Sequence, residues 1–195
     1  MKQSPYFEDF TVGDEFNEVP SVTLTDGHAA IHQALFGDRS LLPLDFELCH
    51  KVTGHDRSIV NPSLVCNLAI GQSTVPSQRV MGNLFYRGLH FQRPVFIGDT
   101  LTTTTRVVAL KQNKIKEGRP ASGMVALEIH VTNQTGETVL LFWRCPMIPC
   151  RDPAANTGFD DDFSTMPESI SDERLVAQIP DWDYEYFRDN FKGKH

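Results

Sequence analysis

Between residues 38 and 63 the chain gathers side chains able to move protons or hold an anion: Asp38, Asp45, His50, His55, and then Asn61-Pro62-Ser63. A carboxylate can serve as a base, and an imidazole can carry a proton near neutral pH. Arg79, Arg87 and Arg93 follow within one long apolar stretch and could donate charge-assisted hydrogen bonds to phosphates. Each residue also has a plainer reading. A Gly-Asp pair after a helix is an ordinary cap or turn, which Asp favours. His50 and His55 fit a solvated helix or loop, Asn61 and Ser63 can do no more than start a helix, and the arginines can be exposed strand residues. Spacing alone does not choose between these readings.

The elements that must position these groups are legible from periodicity. Glu15 to Thr25 alternates as a strand broken at Pro20. Thr25 or Asp26 caps a helix whose apolar face is Ala30, Ile31, Ala34 and Leu35, and Gly37 ends it. Pro43 fits the first turn of a short helix, Leu44 to Val52, closed by Gly54. The most apolar helix of the chain starts next, with Asn61 as its cap and Pro62 in its first position. Leu64, Val65, Leu68, Ala69 and Ile70 make it apolar on most of its circumference, as burial under a surrounding sheet requires. Gly71 could admit another backbone closely. Four strand-like runs follow, from Gln78, Asp99, Gly123 and Glu137, the last two joined by the hairpin signal Asn-Gln-Thr-Gly. Val125, Leu127, Ile129 and Val131 alternate with Ala126, Glu128, His130 and Thr132, giving one buried and one wetter face. The expected fold class is α+β: a central helix with an antiparallel sheet around it.

Composition bounds the function. The 195 residues suffice for one domain with a real core and an extension. Of the net charge of −7, nearly all lies in residues 151–195, which hold 11 acidic and 5 basic residues. A near-neutral body and an acidic tail argue against nucleic acid as a partner, since that needs a basic face. No run of about 18 apolar residues is present, so no membrane span is expected, and MKQSPYFEDF lacks the apolar core of a signal peptide. Cys49, Cys66, Cys145 and Cys150 have no zinc-site spacing and read as reduced thiols of a cytoplasmic protein. After Cys150 a linker-like DPAANTGFDDDF leads to a short helix, Ser171 to Ile179, and an acidic, aromatic stretch, Asp181 to Phe191. YFEDFTVG near the start is echoed by YFRDNFKG, Tyr186 to Gly193. Chance explains eight letters; the alternative is that a second copy of the fold would begin there.

YFEDFTVGDEF, VTLTDGHAAIHQALFGDR and RPVFIGDTL, in that order, resemble the MaoC-like, hotdog-fold acyl-CoA hydratases and dehydratases. The resemblance runs over residues 6 to 150. FGDR, the apolar helix with its Asn-Pro-Ser start, and RPVFIGDTL are most similar to the mesaconyl-CoA hydratase branch. It implies a hotdog domain over residues 1–150 and an acidic extension or linker over 151–195. It also implies addition of water to an enoyl-CoA thioester, or its removal. The family motif is an Asp, four residues, then a His, which together hold one water and move its protons. Asp38 matches the Asp, but Pro43 stands at the His position, and proline carries no proton. His50 or His55 would have to substitute, His55 being the preferred catalytic partner of Asp38. Asp45 matches an acid often found after that His. Asn61, Pro62 and Ser63 lie where the thioester would sit, with a backbone N–H near the helix start polarising its carbonyl. Arg87 and Arg93 would meet CoA phosphates. No cofactor or metal is implied, since the CoA thioester is itself the substrate. A homodimer, or a heteromer with another hotdog subunit that supplies the Asp/His pair, is expected. The competing expectation is an acyl-CoA-binding or scaffold protein without catalysis.

Overall fold

A computed structural model of the chain describes residues 4–191. Four long strands carry the molecule: β3 (Gly82–Phe91), β4 (Thr100–Gln112), β5 (Ser122–Thr132) and β6 (Thr138–Pro149). They fall on the four runs read from the sequence. Two short strands, β1 (Glu15–Phe16) and β2 (Val22–Thr23), complete the sheet. The order is β1-β4-β5-β6-β3, antiparallel throughout, with β2 also on β4. The single strand expected over Glu15 to Thr25 is thus two pieces around Pro20, because proline has no N–H for the ladder.

The alternation in β5 does what it promised. Val125, Leu127, Ile129 and Val131 are fully buried in the main core, together with Val107, Phe142, Phe7 and Phe10. Gly123 opens space for the Phe7 ring, since a Cβ there would lie 2.1 Å from Phe7 Cζ. The central helix, α4 (Pro62–Gln72), packs Val65 and Ala69 into that core. Its C-terminal end is tied to β6 by Arg144, whose guanidinium donates to Ser73 O and, at 2.8 Å, to Ser77 Oγ. Arg144 is buried, and the negative end of the helix dipole compensates its charge.

The helix differs from the expectation in one respect. It is covered on one side only, and Ser63, Asn67 and Gly71 form an exposed stripe one turn apart. A Cβ on Gly71 would meet nothing within 4 Å among the described residues, so none of their backbone approaches it.

The preceding helices also depart in detail. α1 (Asp26–Phe36) begins and ends where capping signals placed it, with Thr25 before it and Gly37 in the left-handed conformation after it. Its apolar stripe is not buried: Ile31 is 63% and Leu35 73% exposed, whereas His32 is 5% exposed. Helical periodicity marks an apolar stripe but does not say whether its cover belongs to the same chain. The short helix expected from Leu44 is two: α2 (Leu41–Leu44), containing Pro43, and α3 (Phe46–Thr53), capped by Asp45 and ended at Gly54.

Beyond β6 the chain crosses the opposite face of the sheet. Phe163 and Met166 pack there with Ala109, Ala126 and Trp143, and Asp161 accepts a 2.8 Å bond from Leu110 N. α5 (Asp172–Val176) and α6 (Tyr184–Phe191) follow. Trp182 docks beside Cys49, Ile59 and Phe96, and Asp183 N donates to Val52 O, so the tail is laid over α3. The echo at Tyr186–Gly193 is helical through Phe191 and then leaves the described residues. All four cysteines are free thiols. No helix among the described residues is long and apolar enough to cross a membrane.

Candidate active site

The site forms where the loop after α1 meets the start of α4. Gly37, with φ 57°, turns the chain so that Asp38 follows the helix directly. Asp38 Oδ1 accepts a 2.7 Å bond from Ser40 N, an Asx turn that fixes the carboxylate. The Ser40 hydroxyl and N–H, then the Asn61 side chain, hold the Asp38 carboxyl at about 2, and the nearby His32 adds to the effect. Asp38 is therefore ionised throughout the neutral range.

Asn61 caps α4 in two ways. Its Oδ1 accepts from Ser63 N and from Ser63 Oγ, each at 2.8 Å. Its carbonyl accepts from Leu64 N at 3.0 Å and Val65 N at 3.3 Å. Pro62 has no N–H, so the first-turn donors of α4 all have acceptors on Asn61. What this helix end offers a ligand is its dipole, together with donors that must first leave Asn61.

His32 enters from α1. Its Nε2 lies 2.9 Å from Ser63 Oγ, and its ring rests 4.8 Å from that of Phe36. Nothing in the sequence singled it out. It sits among apolar residues at helical spacing, and only the packing of α1 onto the start of α4 reveals it. The available signal was a buried-looking histidine six residues before Asp38.

An apolar cavity of about 590 Å³ adjoins this cluster. Ser40, Pro43, Pro62 and Phe91 line it, Arg39 and Arg93 add charge, and Trp182 of the tail forms part of its wall. That volume lies within the range of small-molecule sites, roughly 300–1,000 Å³. Arg93 is tethered at the cavity by a 2.6 Å bond to Glu137 and one of 3.0 Å to Thr138 O. Arg39 has no ion pair among the described residues.

Of the residues singled out in the sequence, the structure brings Asp38, Asn61, Pro62, Ser63 and Arg93 to one place. Asp45 is engaged in capping α3, accepting from Leu48 N at 2.9 Å. His55 lies in the loop before α4 with its ring 4.3 Å from that of Phe96, and its carbonyl faces His50 Nδ1. Neither His50 nor His55 bonds to Asp38. Arg87 is held on the other side of the sheet by Phe163 O and Glu168. Arg79 stacks on Tyr6. Asp99 of the RPVFIGDTL stretch is structural: it accepts from Phe96 N and pairs with Arg57 at 2.8 Å, fixing the turn into β4. No group of three or more His, Cys, Asp or Glu suited to a metal exists among the described residues.

Comparison with known proteins identifies the family and the fold. A family model described as mesaconyl-CoA hydratase matches residues 1–194. A beta-methylmalyl-CoA dehydratase of Chloroflexus aurantiacus is 35% identical over 152 residues, covering 77% of this chain and 42% of that protein. A solved Mycobacterium tuberculosis protein with a double hotdog fold superposes with a TM-score of 0.85 at 42% identity, over 98% of this chain and 58% of the other. A MaoC domain protein from Chloroflexus aurantiacus superposes at 0.77 and 32% identity, over 88% of this chain and 47% of the other. The chain spans about half the length of the curated relatives it matches. A near end-to-end family match, a helix laid in an antiparallel sheet and an aspartate fixed beside the helix start converge on one conclusion: the chain belongs to the mesaconyl-CoA hydratase family of MaoC-like, hotdog-fold proteins.

Proposed function

We propose that this chain is one hotdog unit of a hydratase or dehydratase acting on a short or branched enoyl-CoA thioester, with a dicarboxylic acyl group the first to test. The observation that carries the reading is Asp38: an ionised carboxylate, fixed by Ser40, at the start of the central helix and beside an apolar cavity. In this reading the acyl chain enters the cavity. Asp38 orients the water and takes its proton, while the positive end of α4 favours the enolate charge that develops on the thioester oxygen. The reaction is proton transfer and C–O bond formation, so no cofactor is required. A cytoplasmic setting completes the reading, supported by four free thiols.

The second proton carrier is the missing part, because Pro43 stands where the motif has His. We assign it to a second hotdog unit. Two features support such a partner. Among the described residues β3 is an edge strand paired only to β6, and it exposes Leu84, Tyr86 and Leu89. Open, apolar edges of this kind favour strand addition. The stripe of Ser63, Asn67 and Gly71 on α4 is likewise uncovered.

The test is hydration of crotonyl-CoA and mesaconyl-CoA by the purified chain, by a second hotdog subunit that retains the motif His, and by the two mixed. Activity that appears only on mixing supports the reading. In that mixture Asp38→Ala is expected to lower the rate on the order of 100-fold. Activity of the chain alone places the whole reaction in this unit. Binding of CoA esters without turnover in either setting would instead make it a binding or scaffold protein.

A further inference from the structure

α1 exposes Ile31, Leu35 and Phe36 and buries an imidazole instead. Burying His32 is costly unless its polar ring atoms find partners, and the bond to Ser63 Oγ provides one for Nε2. The proton inventory of this cluster has a single solution. Ser63 N can only donate, so the atom of Asn61 facing it must be Oδ1, which leaves the amide NH₂ as the group through which Asn61 acts on Asp38. The Ser63 hydroxyl also donates to Oδ1, at 2.8 Å, and its one proton is then used. His32 Nε2 must therefore carry the proton that meets Ser63 Oγ at 2.9 Å.

Resting on the hydratase reading, we propose that His32 is a positioning residue for Asp38, acting through Ser63 and Asn61. It is not a stand-in for the histidine missing at position 43, since it faces Ser63 and is almost fully buried. Its Nε2–H holds the Ser63 hydroxyl in the one rotamer that completes the clamp on Asn61 Oδ1. That clamp aims the Asn61 amide at the carboxylate. Each bond polarises the next, so the effect of the imidazole reaches Asp38 without direct contact. Without His32 the hydroxyl is free to rotate, Asn61 is held by one bond in place of two, and Asp38 loses a fixed donor. Catalytic carboxylates misplaced by about 1 Å lose rates of about 100-fold, so a loose Asn61 is expected to matter to turnover more than to binding.

The experiment uses His32→Leu, His32→Gln and Ser63→Ala, read in two ways. In the active mixture with the second hotdog subunit, His32→Leu should lower kcat roughly 10- to 100-fold and leave KM within about threefold. His32→Gln, which keeps an Nε2–H at similar reach, should restore most of it. In the chain alone, carboxyl-carbon NMR titration of Asp38 should move up from about 2 in His32→Leu and back down in His32→Gln. Should His32→Leu fail to fold, Ser63→Ala breaks the same chain at an exposed position and should move the Asp38 titration upward. A folded His32→Leu with wild-type kcat and wild-type Asp38 titration overturns the proposal, as does His32→Gln behaving like His32→Leu in both readouts. An inactive wild-type mixture refutes the hydratase reading, while the Asp38 titration still decides the role of His32.

Discussion

Replacing Asn61 by Ser and by Ala separates its two roles, as helix cap and as donor to Asp38. Asn61 Oδ1 accepts from Ser63 N and Ser63 Oγ, and the amide faces Asp38. Serine caps helices about as well as asparagine, whereas alanine loses about 1 kcal/mol. For a chain of this size that corresponds to a fall in Tm of about 2–4 °C. Asn61→Ala is thus expected to melt about 2–4 °C lower than Asn61→Ser. Both lack the amide donor, so in both the Asp38 carboxyl should titrate above its present value of about 2, part of the way to the ordinary 3.8. The rise stays partial because Ser40 contributes more than Asn61; Ser40→Ala should raise it further. The sign of the pH effect follows. A depressed carboxylate stabilises the fold above its unfolded value of about 3.8 and loses that contribution as pH falls through about 2. The stability difference between Asn61→Ser and wild type that stems from Asp38 is therefore present at neutral pH and gone below about pH 2. Calorimetry and carboxyl NMR read both quantities. Equal destabilisation by Ser and Ala would refute the capping argument. An Asp38 titration unmoved in both variants would refute the link between Asn61 and the site.

Gly123→Ala should destabilise by about 1–3 kcal/mol through overpacking, because its new Cβ would sit 2.1 Å from Phe7 Cζ. Adding Phe7→Leu should recover part of the loss in a thermal melt, and no recovery would place the strain elsewhere. Thiol labelling of the native chain followed by mass spectrometry should find Cys66 first. Burial pushes the Cys145 thiol up to about 12 and, with Glu8 and Asp152 nearby, Cys150 up to about 11. Labelling of Cys145 as fast as Cys66 would contradict its burial.

Much of this protein was readable residue by residue. Thr25, Gly37, Gly54, Asn61 and Pro62 mark helix ends because capping is local: the bonds they make lie within a few residues. The alternation of β5 and its hairpin to β6 likewise report a two-faced sheet directly. The order FGDR, Asn-Pro-Ser and RPVFIGDTL points to the fold. What sequence could not give is which long-range surface covers which stripe. Ile31 and Leu35 carry the helical pattern of a core face and stand in solvent, while His32 is the residue that packs. Asp45 and Arg87 look like ligand-binding groups and are engaged by α3 and by the tail. The clamp from His32 through Ser63 to Asn61 joins residues 31 positions apart, on helices whose crossing only the folded core sets. Local bonds are written in neighbouring letters; the pairing of distant side chains follows from how α1 and α4 pack, and that the tertiary structure alone decides.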